Sequence, residues 1–106
     1  MKPAVIIIAG AALLVTGVAI ALSLDSTEDR GMEVYAMQKC ALCHSVSGIG
    51  GKKMALDGVG SRLKPEDLRK WVQSPRSMKA DTTMKSYPNL PEKDLRDLVA
   101  YLSTLK

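Results

Sequence analysis

The segment CALCH, residues 40–44, constrains this chain more than any other feature, because it contains both cysteines and the only histidine of the 106 residues. Three kinds of site use such a segment: a structural zinc site, a local disulfide, or the covalent attachment of a haem. They differ in what else the chain must supply, so the rest of the sequence is needed to choose among them.

The zinc and disulfide alternatives both lack support elsewhere in the chain. Structural zinc needs four nitrogen or sulfur ligands, normally from two paired clusters. This sequence has one Cys-x-x-Cys pair, one adjoining histidine and no second pair. A disulfide between Cys40 and Cys43 would span one helical turn and constrain little, and a thioredoxin-like thiol pair would need a βαβ context. Haem attachment is therefore the favoured interpretation.

Cys-x-x-Cys-His is the signature of c-type haem attachment. The two thiols add to the two vinyl groups, the intervening residues set the separation of the sulfurs, and the adjacent histidine faces the iron. We predict one haem c, covalently bound through Cys40 and Cys43, with His44 as an axial ligand. No second histidine exists, so methionine is the expected sixth ligand. Met78 and Met84 both lie far enough downstream to reach the other face of the haem.

An uncharged apolar run, AVIIIAGAALLVTGVAIALSL, occupies residues 4–24. As a helix it would be about 32 Å long, close to the roughly 30 Å hydrocarbon core of a bilayer. A cleaved signal peptide is the alternative, because residues 19–21 read AIA. The run continues past that site, which favours an uncleaved transmembrane anchor.

The charges flanking the apolar run predict its orientation. Lys2 lies on one side and the acidic segment DSTEDR on the other, which places the N-terminus in the cytoplasm. We therefore expect a single-pass protein of the cytoplasmic (inner) membrane with its haem domain on the periplasmic side. The corresponding division is an anchor at 1–24, a polar linker at 25–30 and a haem-binding domain at 31–106.

Residues 31–106 show three helical patterns separated by long loops. The first runs into the cysteines, the second begins at Pro65, and the third begins at Pro91. The third has an apolar stripe at helical spacing: Leu95, Leu98, Val99, Leu102 and Leu105. No segment alternates with a period of two. We predict an all-α fold, an N-terminal transmembrane helix followed by three to four helices wrapped around one haem, which a domain this small needs as an internal staple.

Four blocks of the chain resemble the small bacterial class I c-type cytochromes in order and spacing: GMEVYAMQKCALCHSVSG, LDGVGSRL, LRKWVQSPRSMKADTTMKSYP and EKDLRDLVAYLSTL. The resemblance covers residues 31–106. It implies that the helix carrying Tyr35 crosses the last helix near Tyr101. It also implies that Met84, rather than Met78, is the sixth ligand of the iron.

The resemblance further implies that Arg62 and Trp71 contact a haem propionate, although a surface charge and a core aromatic remain the alternatives. Two positions depart from the family pattern. Lys85 stands where a proline usually follows the ligand methionine, which predicts a looser loop. Met54 stands near a proline whose carbonyl accepts the N–H of the proximal histidine, and a backbone carbonyl is still available there.

A six-coordinate haem iron has no open position for a substrate, so we expect one-electron transfer rather than catalysis. The protein would act as a membrane-tethered carrier or as a small cytochrome subunit of a respiratory or other membrane electron-transfer complex. The expected partners are the membrane and redox proteins, including a membrane oxidoreductase complex, and not nucleic acid. Residues 31–106 carry 13 Lys and Arg against 8 Asp and Glu, which predicts docking of acidic partners at a Lys-rich haem edge: Lys39, Lys52, Lys53, Lys79 and Lys85. The alternative function is a haem-based redox or gas sensor with a labile methionine ligand.

Overall fold

Five α-helices and a small sheet make up residues 26–106, the part of the chain that the computed structural model describes. The helices are α1 (Thr27–Met37), α2 (Val59–Arg62), α3 (Pro65–Gln73), α4 (Pro75–Met78) and α5 (Glu92–Ser103). A 3₁₀ turn covers Cys40–Leu42, and the strands are β1 (His44–Val46), β2 (Ile49–Gly50) and β3 (Met54–Ala55).

The start of α1 is set by a side-chain cap. The Ser26 hydroxyl accepts a hydrogen bond from the Asp29 backbone N–H at 3.1 Å, and Glu28 adds a second negative charge to the first turn. Residues 27–30, which the sequence placed in a linker, are therefore helical. The helix stops at Met37, and the left-handed backbone of Lys39, with φ of 58°, redirects the chain into the 3₁₀ turn.

The first and last long helices cross at a glycine. A Cβ on Gly31 would overlap the carbonyl oxygen of Asp97 and the Cβ of Tyr101, so only glycine permits this close approach. One turn further on, the rings of Tyr35 and Tyr101 pack edge to face with centroids 5.6 Å apart. The crossing implied by the family resemblance is thus confirmed.

The core lies where α5 packs against α1 and α3. Leu95 is fully buried, Leu105 is half-buried, and the rest of the predicted stripe is buried, which confirms the helical pattern. Asp97 is the exception to an apolar interior, and its carboxylate accepts a hydrogen bond from the Lys93 ammonium at 2.7 Å one turn earlier. Apart from Pro75, the buried apolar side chains among residues 26–106 belong to valine and leucine: Val34, Leu56, Val59, Leu68, Val72, Leu95, Leu98, Val99 and Leu102.

The three-stranded sheet corrects the prediction of an all-α fold. Strand β1 lies in the middle, antiparallel to β2 and parallel to β3, with Val46 opposite Ile49 and His44 opposite Met54. The strands have only two or three residues each, too few to produce a readable alternation. A sequence pattern could not have revealed them, because their pairing depends on the turns between them.

The predicted membrane anchor is also corrected. Among residues 26–106 no helix is long and apolar enough to cross a bilayer. The longest, α5 with 12 residues, spans about 18 Å, well short of the roughly 30 Å required. The transmembrane part of the predicted fold and the single-pass inner-membrane location are therefore not supported. The predicted span itself, residues 1–24, lies outside the described residues.

Candidate functional site

The attachment turn, residues 40–44, presents two thiols one turn apart. Its backbone is closed by hydrogen bonds from Leu42 N–H to the Lys39 carbonyl (3.1 Å) and from Cys43 N–H to the Cys40 carbonyl (3.2 Å). Both cysteines are free thiols, Cys40 half-buried and Cys43 exposed. Burial raises the pKa of the Cys40 thiol, and a backbone hydrogen bond lowers it by less. The pair is accessible for bonding to a group that lies against the turn.

The ring of His44 is oriented by a backbone carbonyl. Its Nδ1 lies 3.2 Å from the carbonyl oxygen of Met54, directly opposite in the β1–β3 ladder. With Nδ1–H donating to this oxygen, Nε2 carries the lone pair that a metal needs. The expectation that a Met54 carbonyl replaces the carbonyl of the family proline is confirmed.

Gly51 holds the sheet close to the attachment turn through backbone hydrogen bonds. The N–H of Gly51 donates to the carbonyls of Ala41 (2.7 Å) and His44 (3.1 Å). A Cβ at Gly51 would overlap the carbonyl of Leu42. On the other side of the turn, the N–H groups of Lys53 and Met54 both donate to the Cys43 carbonyl. The histidine side of the site is therefore built from main-chain contacts.

The Met84 segment, residues 79–91, connects α4 to α5. Met84 is half-buried, and its N–H donates to the Thr82 hydroxyl at 3.3 Å. Farther along, the Tyr87 hydroxyl donates to the carbonyl of Gln38, two residues before the first cysteine. The segment is thus attached to the stretch that leads into the attachment turn. Met78, the other candidate ligand, is half-buried at the end of α4, and the choice of Met84 stays a prediction.

The two predicted propionate contacts lie on the helices that follow the sheet. Arg62 ends α2, is exposed, and donates from Nη1 to the Asp57 carbonyl at 3.1 Å. Asp57 in turn accepts the Ser47 N–H with both carboxylate oxygens, at 3.2 and 3.1 Å. Trp71 is half-buried on α3. Their roles toward a propionate stay predictions.

The hydroxyl of Tyr35 is a feature that sequence reasoning missed. It is buried and has no hydrogen-bond partner in the described part of the chain. Burial, then the neighbouring Cys40 and Tyr101, raise the pKa of Tyr35 to about 12. An unpaired buried hydroxyl is costly and calls for an explanation. The buried hydroxyl of Tyr35 indicates that another group completes the interior beside the attachment turn. The family resemblance had identified only an aromatic ring at this position.

The donor set fits a haem better than a bare metal ion. Within residues 26–106 no three His, Cys, Asp or Glu side chains are grouped to hold a metal ion. A haem iron does not need such a group, because the porphyrin supplies the equatorial nitrogens. The two free thiols, the free Nε2 of His44 and a half-buried thioether are the groups that covalent attachment and axial ligation use.

Comparison with known proteins agrees with this geometry. The family model for cytochrome c matches residues 28–106. The chain is also 29% identical, over 92 residues and 77% of its length, to cytochrome c oxidase subunit 2 of Alkalihalophilus pseudofirmus. The match spans only 27% of that relative. A cytochrome c domain carries electrons on a haem and is not an enzyme in itself. The chain belongs to the cytochrome c family.

Proposed function

We propose that this protein transfers single electrons through a covalent haem c with His44 and Met84 as axial ligands, as a cytochrome subunit or partner of a respiratory complex. The observation that carries the proposal is the hydrogen bond between His44 Nδ1 and the Met54 carbonyl. It leaves Nε2 free next to two unpaired thiols, within a domain that matches the cytochrome c family.

Each residue of the site has a distinct role in this proposal. When bound, the haem would supply an iron that carries one electron at a time. Cys40 and Cys43 would hold it through thioether bonds, and the Met54 carbonyl keeps the His44 ring from rotating. A thioether ligand from Met84 raises the reduction potential. With both axial positions filled by the protein, no position remains for a substrate.

The ligand assignment is tested with paired methionine variants of the haem-bound protein. Met84→Ala should abolish the methionine-to-iron charge-transfer band of the oxidised spectrum and lower the reduction potential. Met78→Ala, the matched substitution at the end of α4, should retain both. Loss of the band in Met78→Ala alone would assign the ligand to Met78 instead.

The oxidase relative and the charge of the domain suggest the kind of partner. Cytochrome c oxidase subunit 2 is by name part of an oxidase, so we propose an oxidase-type complex as the electron acceptor. The predicted docking lysines are all exposed: Lys39, Lys52, Lys53, Lys79 and Lys85. Oxidation by an isolated terminal oxidase should slow with rising ionic strength. A Lys52→Glu, Lys53→Glu variant should be slower than Lys70→Glu on α3, and equal rates would contradict this docking edge.

A sensor remains the second candidate because Lys85 stands where the family has a proline. A labile methionine would let an external ligand reach the iron. Rapid binding of carbon monoxide to the reduced protein, together with a missing methionine-to-iron band in the oxidised protein, would favour sensing. Slow binding with an intact band would favour electron transfer.

A further inference from the structure

Tyr87 joins the Met84 segment to both halves of the domain. Its hydroxyl donates to the carbonyl of Gln38 at 3.1 Å, across 49 positions of sequence. Its backbone N–H donates to the carbonyl of Val72, in the last turn of α3, at 3.0 Å. One residue therefore connects the segment to the end of α1 on one side and to α3 on the other.

The phenol of Tyr87 reaches the stretch that leads into the attachment turn, through its hydrogen bond to the Gln38 carbonyl. The side chain is half-buried. Burial raises the pKa of Tyr87, and Cys40 and then Cys43 add to the shift. Tyr87 thus lies three positions after Met84, and its hydroxyl reaches the backbone two residues before Cys40.

Lys85, which stands where the family has a proline, contacts the same Tyr87 ring. The ammonium of Lys85 lies 5.2 Å from the centroid of the Tyr87 ring, within cation–π distance. Thr82 holds the Met84 N–H from the other direction. Met84 is therefore flanked by two side-chain contacts, one on each side, in a stretch without helix or strand.

We propose that Tyr87 is a positioning residue that holds Met84 toward the iron, and that the Lys85–Tyr87 contact stiffens the segment where the proline is absent. The inference rests on the proposed function, because it requires Met84 to be the ligand. Its physical basis is that Tyr87 joins the segment carrying Met84 to Gln38 and to Val72. These two hydrogen bonds resist movement of the segment and so oppose displacement of Met84.

The test measures how easily imidazole displaces the methionine from the oxidised, haem-bound protein. Tyr87→Phe deletes the hydroxyl and keeps the ring. Losing one neutral hydrogen bond should strengthen apparent imidazole binding by about 2- to 10-fold. Tyr101→Phe deletes a hydroxyl from another half-buried tyrosine, on α5, and should leave imidazole binding at the wild-type value.

Lys85→Gln gives a second, independent measurement. It removes the cation and leaves the Tyr87 hydroxyl in place, so binding should strengthen by roughly 2- to 5-fold, the effect expected of an exposed cation–π contact. Lys70→Gln on α3 is the matched control for removing one exposed positive charge. Tighter imidazole binding in Tyr87→Phe and Lys85→Gln but in neither control would support the proposal.

Three outcomes would overturn the inference in distinguishable ways. If Met84→Ala loses the methionine-to-iron band but Tyr87→Phe binds imidazole like wild type, Tyr87 has no positioning role and the proposed function survives. If the wild-type protein lacks the band, or Met84→Ala retains it, both the inference and the His/Met assignment fail. Equal tightening in Tyr87→Phe and Tyr101→Phe would mean general loosening of the fold, and would also reject the role.

Discussion

The segment that carries His44 and the segment that carries Met84 are held by different kinds of contact. Around His44, the attachment turn and the sheet are joined by main-chain hydrogen bonds, including the one that orients the imidazole ring. Around Met84, the side chains of Thr82, Lys85 and Tyr87 make contacts, in addition to one backbone hydrogen bond from Tyr87 to Val72. Substitutions that keep the backbone should therefore be tolerated near His44 and should alter ligation near Met84.

The largest expected effect comes from breaking the main-chain packing on the histidine side. Gly51→Val places a side chain where the Leu42 carbonyl already lies, which should lower the free energy of unfolding by about 3 kcal/mol or more. Urea unfolding of the haem-bound protein measures this. The matched control is Gly48→Asn, which has open space and a residue type that tolerates its φ of +78°. A small effect at Gly51 would contradict a histidine side locked by backbone contact.

A smaller effect is expected from removing one side-chain contact on the methionine side. Thr82→Ala deletes the hydroxyl that accepts the Met84 N–H, so displacement of the methionine by imidazole should become about 2- to 5-fold easier. Thr83→Ala, at the exposed neighbouring position, should behave as wild type. If both variants match wild type, the Met84 segment does not depend on this contact.

The buried phenol of Tyr35 predicts a loss of stability at high pH. Burial raises the pKa of Tyr35 above its ordinary value of 10.0 in the folded protein, so the unfolded chain releases its proton first. The contribution of the neutral phenol is complete below pH 10 and declines as the pH rises through the raised pKa. The urea midpoint should therefore fall more steeply for wild type than for Tyr35→Phe over this interval. Parallel curves would mean that the hydroxyl is not buried in the haem-bound protein.

The smallest effect is expected at Met54, where a substitution changes the side chain but keeps the backbone carbonyl that contacts His44. Met54→Ala keeps the carbonyl that accepts the His44 N–H, and the Met54 side chain is 51% exposed. The free energy of unfolding should change by no more than about 0.5 kcal/mol, and the reduction potential should stay at the wild-type value. A large shift in potential would show that the thioether of Met54, and not only its carbonyl, contributes to the site.

Some elements of this fold could be predicted because their information is local. The apolar stripe of α5 and the proline starts at Pro65 and Pro91 are readable within a few residues, and the structure places α3 and α5 there, α5 starting one residue after Pro91. The sheet could not be predicted, since strands of two or three residues carry no periodic signal. The predicted transmembrane anchor is not supported by any helix among residues 26–106.

The sequence by itself determined the haem-attachment chemistry, because the groups that would bond a haem are close together in the chain. Cys40, Cys43 and His44 lie within five consecutive positions. Only the tertiary structure decided how those groups are oriented. The Met54 carbonyl reaches His44 across 10 positions and Tyr87 reaches Gln38 across 49. Both contacts depend on turns that bring distant parts of the backbone together. Every residue has a carbonyl group, so no pattern of residue types identifies the carbonyl that accepts the hydrogen bond.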